Sequence, residues 1–226
     1  MTELVAKHLF MRAYMSTAFT LWTRNNELCK LKKSHVQDVI SYDGHSLPYF
    51  TVVLENQKGW QKKVGYEGQL IGMYCKCWLI VLLNIHWTNT GQTYKIYKQD
   101  VWVINMFTHL RAWIQRLKAI LGGWDNEDKD CVFLSLNSNG VHHPHVETST
   151  KRIQTWIEEF VKGTGVTKEY TTRSFRRGGT QYRSMHAPLG KRWSMSIVRW
   201  WGGWAEGENV GNELIFNPPL TPIPVT

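Results

Sequence analysis

Seven cations stand between Arg173 and Arg199 (Arg173, Arg176, Arg177, Arg183, Lys191, Arg192 and Arg199) with no acidic residue among them. On a solvated helix face such cations are usually interspersed with glutamates for i,i+4 pairing. Within this segment that pairing is impossible. Trp193, Trp200, Trp201 and Trp204 interleave with the cations, so guanidinium forks would rest on a rigid aromatic base. Guanidinium groups bind phosphate oxygens bidentately, and clustered cations release condensed counterions from nucleic acid. The segment reads as a phosphate-binding surface, in line with the net charge of +9. Gly178-Gly179 falls inside its expected helix at a cost of about 1 kcal/mol per glycine relative to alanine. A close backbone approach, to another helix or to the ligand, would explain that cost. Trp193, Trp200 and Trp201 are expected in the core.

Other chemistry-bearing residues are weaker signals. His142, His143 and His145 flank Pro144 and read as loop histidines, without a metal. Asp125 to Asp130 reads as a solvated acidic connection. Cys29, Cys75, Cys77 and Cys131 are too few and too scattered for a disulfide scaffold, which fits a reduced, intracellular chain. The first residues carry no signal-peptide pattern, and the longest apolar run, Trp78 to Leu83, is far short of the ~20 residues of a membrane helix.

The elements that must position these groups follow from periodicity. Residues 2–20 carry apolar positions at helical spacing, with a second short helix around Glu27, Leu28 and Leu31. Asp43-Gly44 marks a turn, and Pro48 to Glu55 a strand rich in β-branched and aromatic residues. Gln57-Lys58-Gly59 would turn a hairpin into a second strand near Trp60. Trp102 to Leu121 is an amphipathic helix closed by Gly122-Gly123. Cys131 to Leu136 is a short strand or buried stretch, and Ile153 to Val161 lies on a further helix. Thr171-Thr172 caps a helix that Pro188 ends, and Ser194 caps a last one running to Trp201. The fold class expected is α+β, mainly α with a small antiparallel sheet.

These elements carry a resemblance. Arg24-Asn-Asn-Glu27-Leu28 with Leu31 and Val36 follows the R-x-x-E-L-x-x-L pattern around the first catalytic arginine of tyrosine recombinases. Lys58 stands where the family has its hairpin lysine. Arg173-Ser-Phe-Arg176 resembles the H-x-x-R box, and Gly202-Gly203-Trp204 the third box, a glycine followed by His or Trp. All stand in family order. The stretch from Phe175 to Glu208 is similar to recombinase-like proteins of Crypton-type mobile elements, and to a related non-cutting domain of a fungal centromere-binding protein. The resemblance covers about 1–208, apart from an atypical insert, 71–92.

It implies a catalytic-core fold, a nuclear or otherwise intracellular protein of mobile-element origin, and DNA as the partner. Active members break and rejoin DNA (recombination, integration) and assemble on it. A tyrosine attacks a phosphodiester without metal or cofactor. Charge then builds on the non-bridging oxygens, so cationic donors must already be in place. By the resemblance Arg24 and Arg176 are those donors, each worth on the order of 10²–10³ in rate. Lys58 would be the general acid, Trp204 the third donor, and Glu27 would orient Arg24 or cap the local fold. Arg177, Arg183, Lys191, Arg192 and Arg199 would contact DNA.

The pattern fails at two places. Arg173 replaces the box-two histidine and cannot accept a proton at neutral pH. The nucleophilic tyrosine is missing: Phe216 stands at its spacing, and no tyrosine follows Tyr182. Residues 209–226 are proline-rich and expected to be irregular, so the core is expected to be truncated at its C-terminal end. The family-like text stops at Gly72 and Gly211, which suggests translated intron sequence or a gene-model error at 71–92 and from 211 onward. The leading expectation is a DNA-binding, degenerate recombinase-like protein. The alternatives are an active recombinase, if the true product continues to a tyrosine, and a non-catalytic chromatin or assembly scaffold.

Overall fold

The computed structural model describes residues 3–43, 46–54, 87–88, 91–122, 129–136, 142–204 and 210–211. Helix α1 (Glu3–Leu21) is the hub. It buries Phe10, Met11, Ala13, Tyr14, Ala18 and Leu21, and its neighbours are α3 (Met106–Leu121) and α5 (Thr172–Gln181). Gly179 answers the question raised by the glycine pair: α5 meets another helix. A Cβ there would lie 2.1 Å from the Phe19 carbonyl oxygen and 2.4 Å from Trp22 Nε1.

Trp22 ends α1 in the left-handed region, φ 52°, a rare conformation for so bulky a residue. The chain turns there into the short helix α2 (Asn25–Cys29). Helix α4 (Thr150–Lys162) is capped by Ser149, whose Oγ accepts the Arg152 N–H at 3.2 Å. At the start of α5 the Ser174 hydroxyl accepts the Thr171 N–H at 3.0 Å. After α5 the helix widens over Tyr182–His186 and stops at Pro188. Helix α6 (Met195–Gly202) follows Ser194 and ends at Gly203, φ 75°.

One antiparallel sheet has strand order β1-β2-β4-β3, from β1 (Val36–Tyr42), β2 (Pro48–Leu54), β3 (Trp87–Thr88) and β4 (Gly91–Tyr97). Phe50 pairs with Ile96 and Val52 with Tyr94, and all four are buried, so period-two alternation puts one face on the core. A second ribbon joins β5 (Leu134–Leu136) to β6 (His142–Glu147). The fold is therefore mixed: helices around a small antiparallel sheet.

Several expectations change. Residues 36–42 were not expected to be a strand; β1 pairs with β2 across the Asp43 turn. The hairpin at Gln57-Lys58-Gly59 and its strand from Trp60 lie outside the described residues. So do 71–86, but the end of the atypical insert is built into the sheet, because Gln92 pairs with both Leu54 and Trp87. The helix expected from Trp102 begins at Met106, where Asn105 Oδ1 accepts the Thr108 N–H at 3.2 Å; Trp102 precedes it in a short 3₁₀ turn and is 56% exposed. His142, His143 and His145 lie on a strand. Asp130 is buried at 2% exposure and faces His145 Nδ1 at 3.0 Å, so that end of the acidic connection is not solvated. Val210 is buried, which carries the core past residue 208.

One core histidine is expected to make stability pH-dependent. His109 is buried, its Nδ1 3.2 Å from Arg12 Nη2 and its Nε2 2.8 Å from the Trp102 carbonyl oxygen. Arg12 can only donate, so Nδ1 accepts and Nε2–H donates: a neutral ring. Burial lowers its pKa below the ordinary 6.5, Arg12 adds to the effect, and the Trp102 bond opposes both. A depressed histidine contributes stability that is present above its unfolded pKa and lost as pH falls toward the folded one. The Tm is expected to fall between pH 7.5 and 5.5, and less steeply in His109→Gln. Identical slopes for the two proteins would contradict this assignment.

Candidate anion-binding site

The sharp exit from α1 places Arg24 at the N-cap of α2, with extended backbone (φ −74°, ψ 153°). Glu27 holds Arg24 at two points. Its Oε2 accepts the Arg24 backbone N–H at 2.8 Å, and its Oε1 accepts Arg24 Nη1 at 3.0 Å. The Arg24 side chain is 40% exposed. It borders a cavity of about 480 Å³ whose wall also contains Arg173, Arg176 and Trp204. Residues 24, 173, 176 and 204, singled out separately along the sequence, share one pocket.

Arg176 is the fixed member. It is 7% exposed, donates Nη1–H to the Trp22 carbonyl oxygen at 2.6 Å and Nη2–H to the Gly202 carbonyl oxygen at 3.0 Å. Its guanidinium lies 4.6 Å over the Trp204 ring. The left-handed turn at Trp22 and the end of α6 thus hold it from two sides. Trp204 can lie there because residue 202 is glycine: a Cβ on Gly202 would fall 1.8 Å from Trp204 Cζ3. Trp201 ties the assembly to α1 and the sheet, donating Nε1–H to the Thr20 carbonyl and accepting the Tyr94 hydroxyl on its own carbonyl. Trp22, Trp193 and Trp201 pack in tilted and edge-to-face pairs with ring centroids 5.0 to 6.4 Å apart.

The rest of the wall was not singled out from the sequence. Asn25, Thr150 and Thr172, which line it, are the first residues of α2, α4 and α5. Helices α4 and α5 bring the positive ends of their dipoles toward it, although the Thr172 N–H itself donates to Gln154 Oε1 at 3.2 Å, and α2 is little more than one turn. Helix N-termini bind phosphate through such dipole ends. Ser149 ahead of an apolar run was the available sign for α4. Thr23 and Asn26 complete the wall, and no carboxylate is among the described lining residues. Three arginines around one cavity suit a phosphate group.

The other cations separate. Arg177 is exposed but does not line the pocket. Arg183 is half-buried between Tyr182 (5.7 Å) and Trp193 (5.1 Å), and burial lowers its pKa while Tyr182 raises it. It therefore packs against two rings and is less accessible than the exposed cations Arg177, Lys191 and Arg192. Lys191 sits 3.7 Å from Asp100, an acid supplied by the chain after β4, and Arg192 Nε–H donates to the Ala187 carbonyl at 2.8 Å. Both remain exposed, while Arg199 is half-buried. Lys58 and Phe216 lie outside the described residues. Among the described residues no group of three or more His, Cys, Asp or Glu could hold a metal ion, and no helix is long and apolar enough to cross a membrane.

The chain matches none of the protein-family models and none of the curated proteins with which it was compared.

Proposed function

We propose that this chain binds DNA by seating a backbone phosphate in the pocket of Arg24, Arg173 and Arg176, as a non-cutting, tyrosine recombinase-like core. One observation carries the reading. Arginines about 150 residues apart converge on one cavity that no described carboxylate lines. Arg176, clamped by two carbonyls, is positioned before any ligand arrives, which is what charge stabilisation at a phosphate requires. Arg24 keeps a share of its donors for the pocket while Glu27 orients it. Trp204 offers an aromatic wall under the guanidinium.

The same pocket is poorly equipped to cut. Arg173 cannot act as a general base at neutral pH. No described lining residue is a tyrosine. A gel-shift titration with a labelled duplex, run alongside a nicked suicide duplex that traps covalent intermediates, separates the readings. Retardation at low salt with no denaturant-stable protein–DNA adduct is expected. An adduct would restore the active-recombinase reading, and absence of retardation would remove DNA as the partner.

A further inference from the structure

Asn25 follows Arg24 directly, and its side-chain amide is held from behind. Fully buried Tyr14 donates Oη–H to Oδ1 at 2.5 Å, and the Cys29 thiol donates to the same oxygen at 3.3 Å. On its other side Nδ2 donates to the Thr150 carbonyl oxygen at 3.3 Å. Turning the amide over would set Oδ1 against that carbonyl, two acceptors facing each other, so the observed orientation is the one the contacts allow. Burial keeps both donors protonated: the Tyr14 phenol is raised well above its ordinary range, and the Cys29 thiol is pushed up to about 12.

An amide nitrogen carries two hydrogens, and Thr150 takes one of them. Asn25 and Thr150 both line the pocket. We infer that Asn25 is a specificity-determining neutral donor, its second amide hydrogen bonding a phosphate oxygen in the pocket, with Tyr14 as the positioning residue that fixes which end of the amide faces the ligand. This rests on the phosphate reading above. The arginines supply charge. Asn25 adds a donor of fixed direction, which fixes the tilt of the phosphate without adding charge.

Salt dependence separates such a donor from the arginines, because a neutral group releases no counterions. Full-length wild type, Asn25→Ala, Asn25→Asp, Tyr14→Phe and Arg24→Ala are titrated against a fluorescein-labelled DNA duplex at several salt concentrations. Asn25→Ala should weaken binding about tenfold, within the range for a hydrogen bond to a charged group, with the slope of log K against log salt unchanged. Asn25→Asp still accepts from Tyr14 and Cys29 but sets its second oxygen against the Thr150 carbonyl, so its Tm is measured beside its affinity and only a folded variant is scored. It should lose on the order of a hundredfold, because a carboxylate then faces the phosphate. Tyr14→Phe should lose affinity in the same direction, also at unchanged slope, whereas Arg24→Ala should lower the slope by roughly one.

A wild type that binds and depends on Arg24, yet tolerates Asn25→Asp within twofold, overturns the role given to Asn25. So does an Asn25→Ala slope that falls as far as that of Arg24→Ala. Tyr14→Phe binding like wild type overturns the positioning role. A wild type that does not bind DNA overturns the phosphate reading beneath them.

Discussion

Gly179→Val is expected to leave little folded protein, while Gly178→Ala, one residue away, should fold at least as well as the parent. At Gly179 the added Cβ would sit 2.1 Å from the Phe19 carbonyl oxygen, a backbone atom that moves only if α1 moves. It would also press on the indole of Trp22, whose carbonyl holds Arg176. Overpacking ordinarily costs 1–3 kcal/mol, occasionally more, and here no flexible side chain can yield; a loss of about 4 kcal/mol or more is expected. At Gly178 the nearest atom is Phe19 Cε2 at 3.5 Å, an ordinary contact. Alanine there regains up to about 1 kcal/mol of helix propensity. Urea midpoints of the two variants and the parent provide the check. Equal behaviour of the two glycines would mean that α1 and α5 do not meet as described.

The second large effect concerns binding. Arg24→Ala with Arg173→Ala should reduce DNA affinity on the order of 10²–10³ while the Tm stays close to that of the parent. The stability side follows from exposure: Arg173 is exposed, and the part-exposed Arg24–Glu27 pair is worth ~0–1 kcal/mol. The Glu27 cap on the Arg24 backbone N–H survives the substitution. On the binding side, hydrogen bonds to charged groups contribute about 1.5–3 kcal/mol each, and two arginines sharing one phosphate will not add fully. Arg176 is the wrong residue for this experiment. Its removal would leave the buried carbonyls of Trp22 and Gly202 without their donor, and so mix folding with binding.

The sequence made the long helices legible because an amphipathic period and a cap residue are local signals. Asn105 shows the limit: apolar spacing runs back to Trp102, but the cap sets the start of α3. Strand β1 was missed because VQDVISY is half polar and is a strand through its pairing with β2, which no local pattern records. In the site, Arg24, Arg173, Arg176 and Trp204 were singled out through the recombinase-like motifs in which they stand. Asn25 and Thr150 were not, and Thr172 was seen only as part of a helix cap, because what brings them to the pocket is the packing of three helices, which no local pattern records. Arg183, Lys191 and Arg192 looked like uncommitted cations for a similar reason. Their partners are two aromatic rings, an aspartate from another part of the chain and a backbone carbonyl. An acid-free stretch of sequence is not an acid-free surface.

The pocket's charge can be measured directly as counterion release. The slope of log K against log salt for duplex binding scales as roughly −0.9 per phosphate neutralised. For the Arg24→Ala, Arg173→Ala protein it should be shallower than wild type by about 0.9, the value for the one phosphate that the pocket seats. A slope equal to that of wild type, in a variant that still folds, would contradict the claim that these arginines hold DNA phosphate.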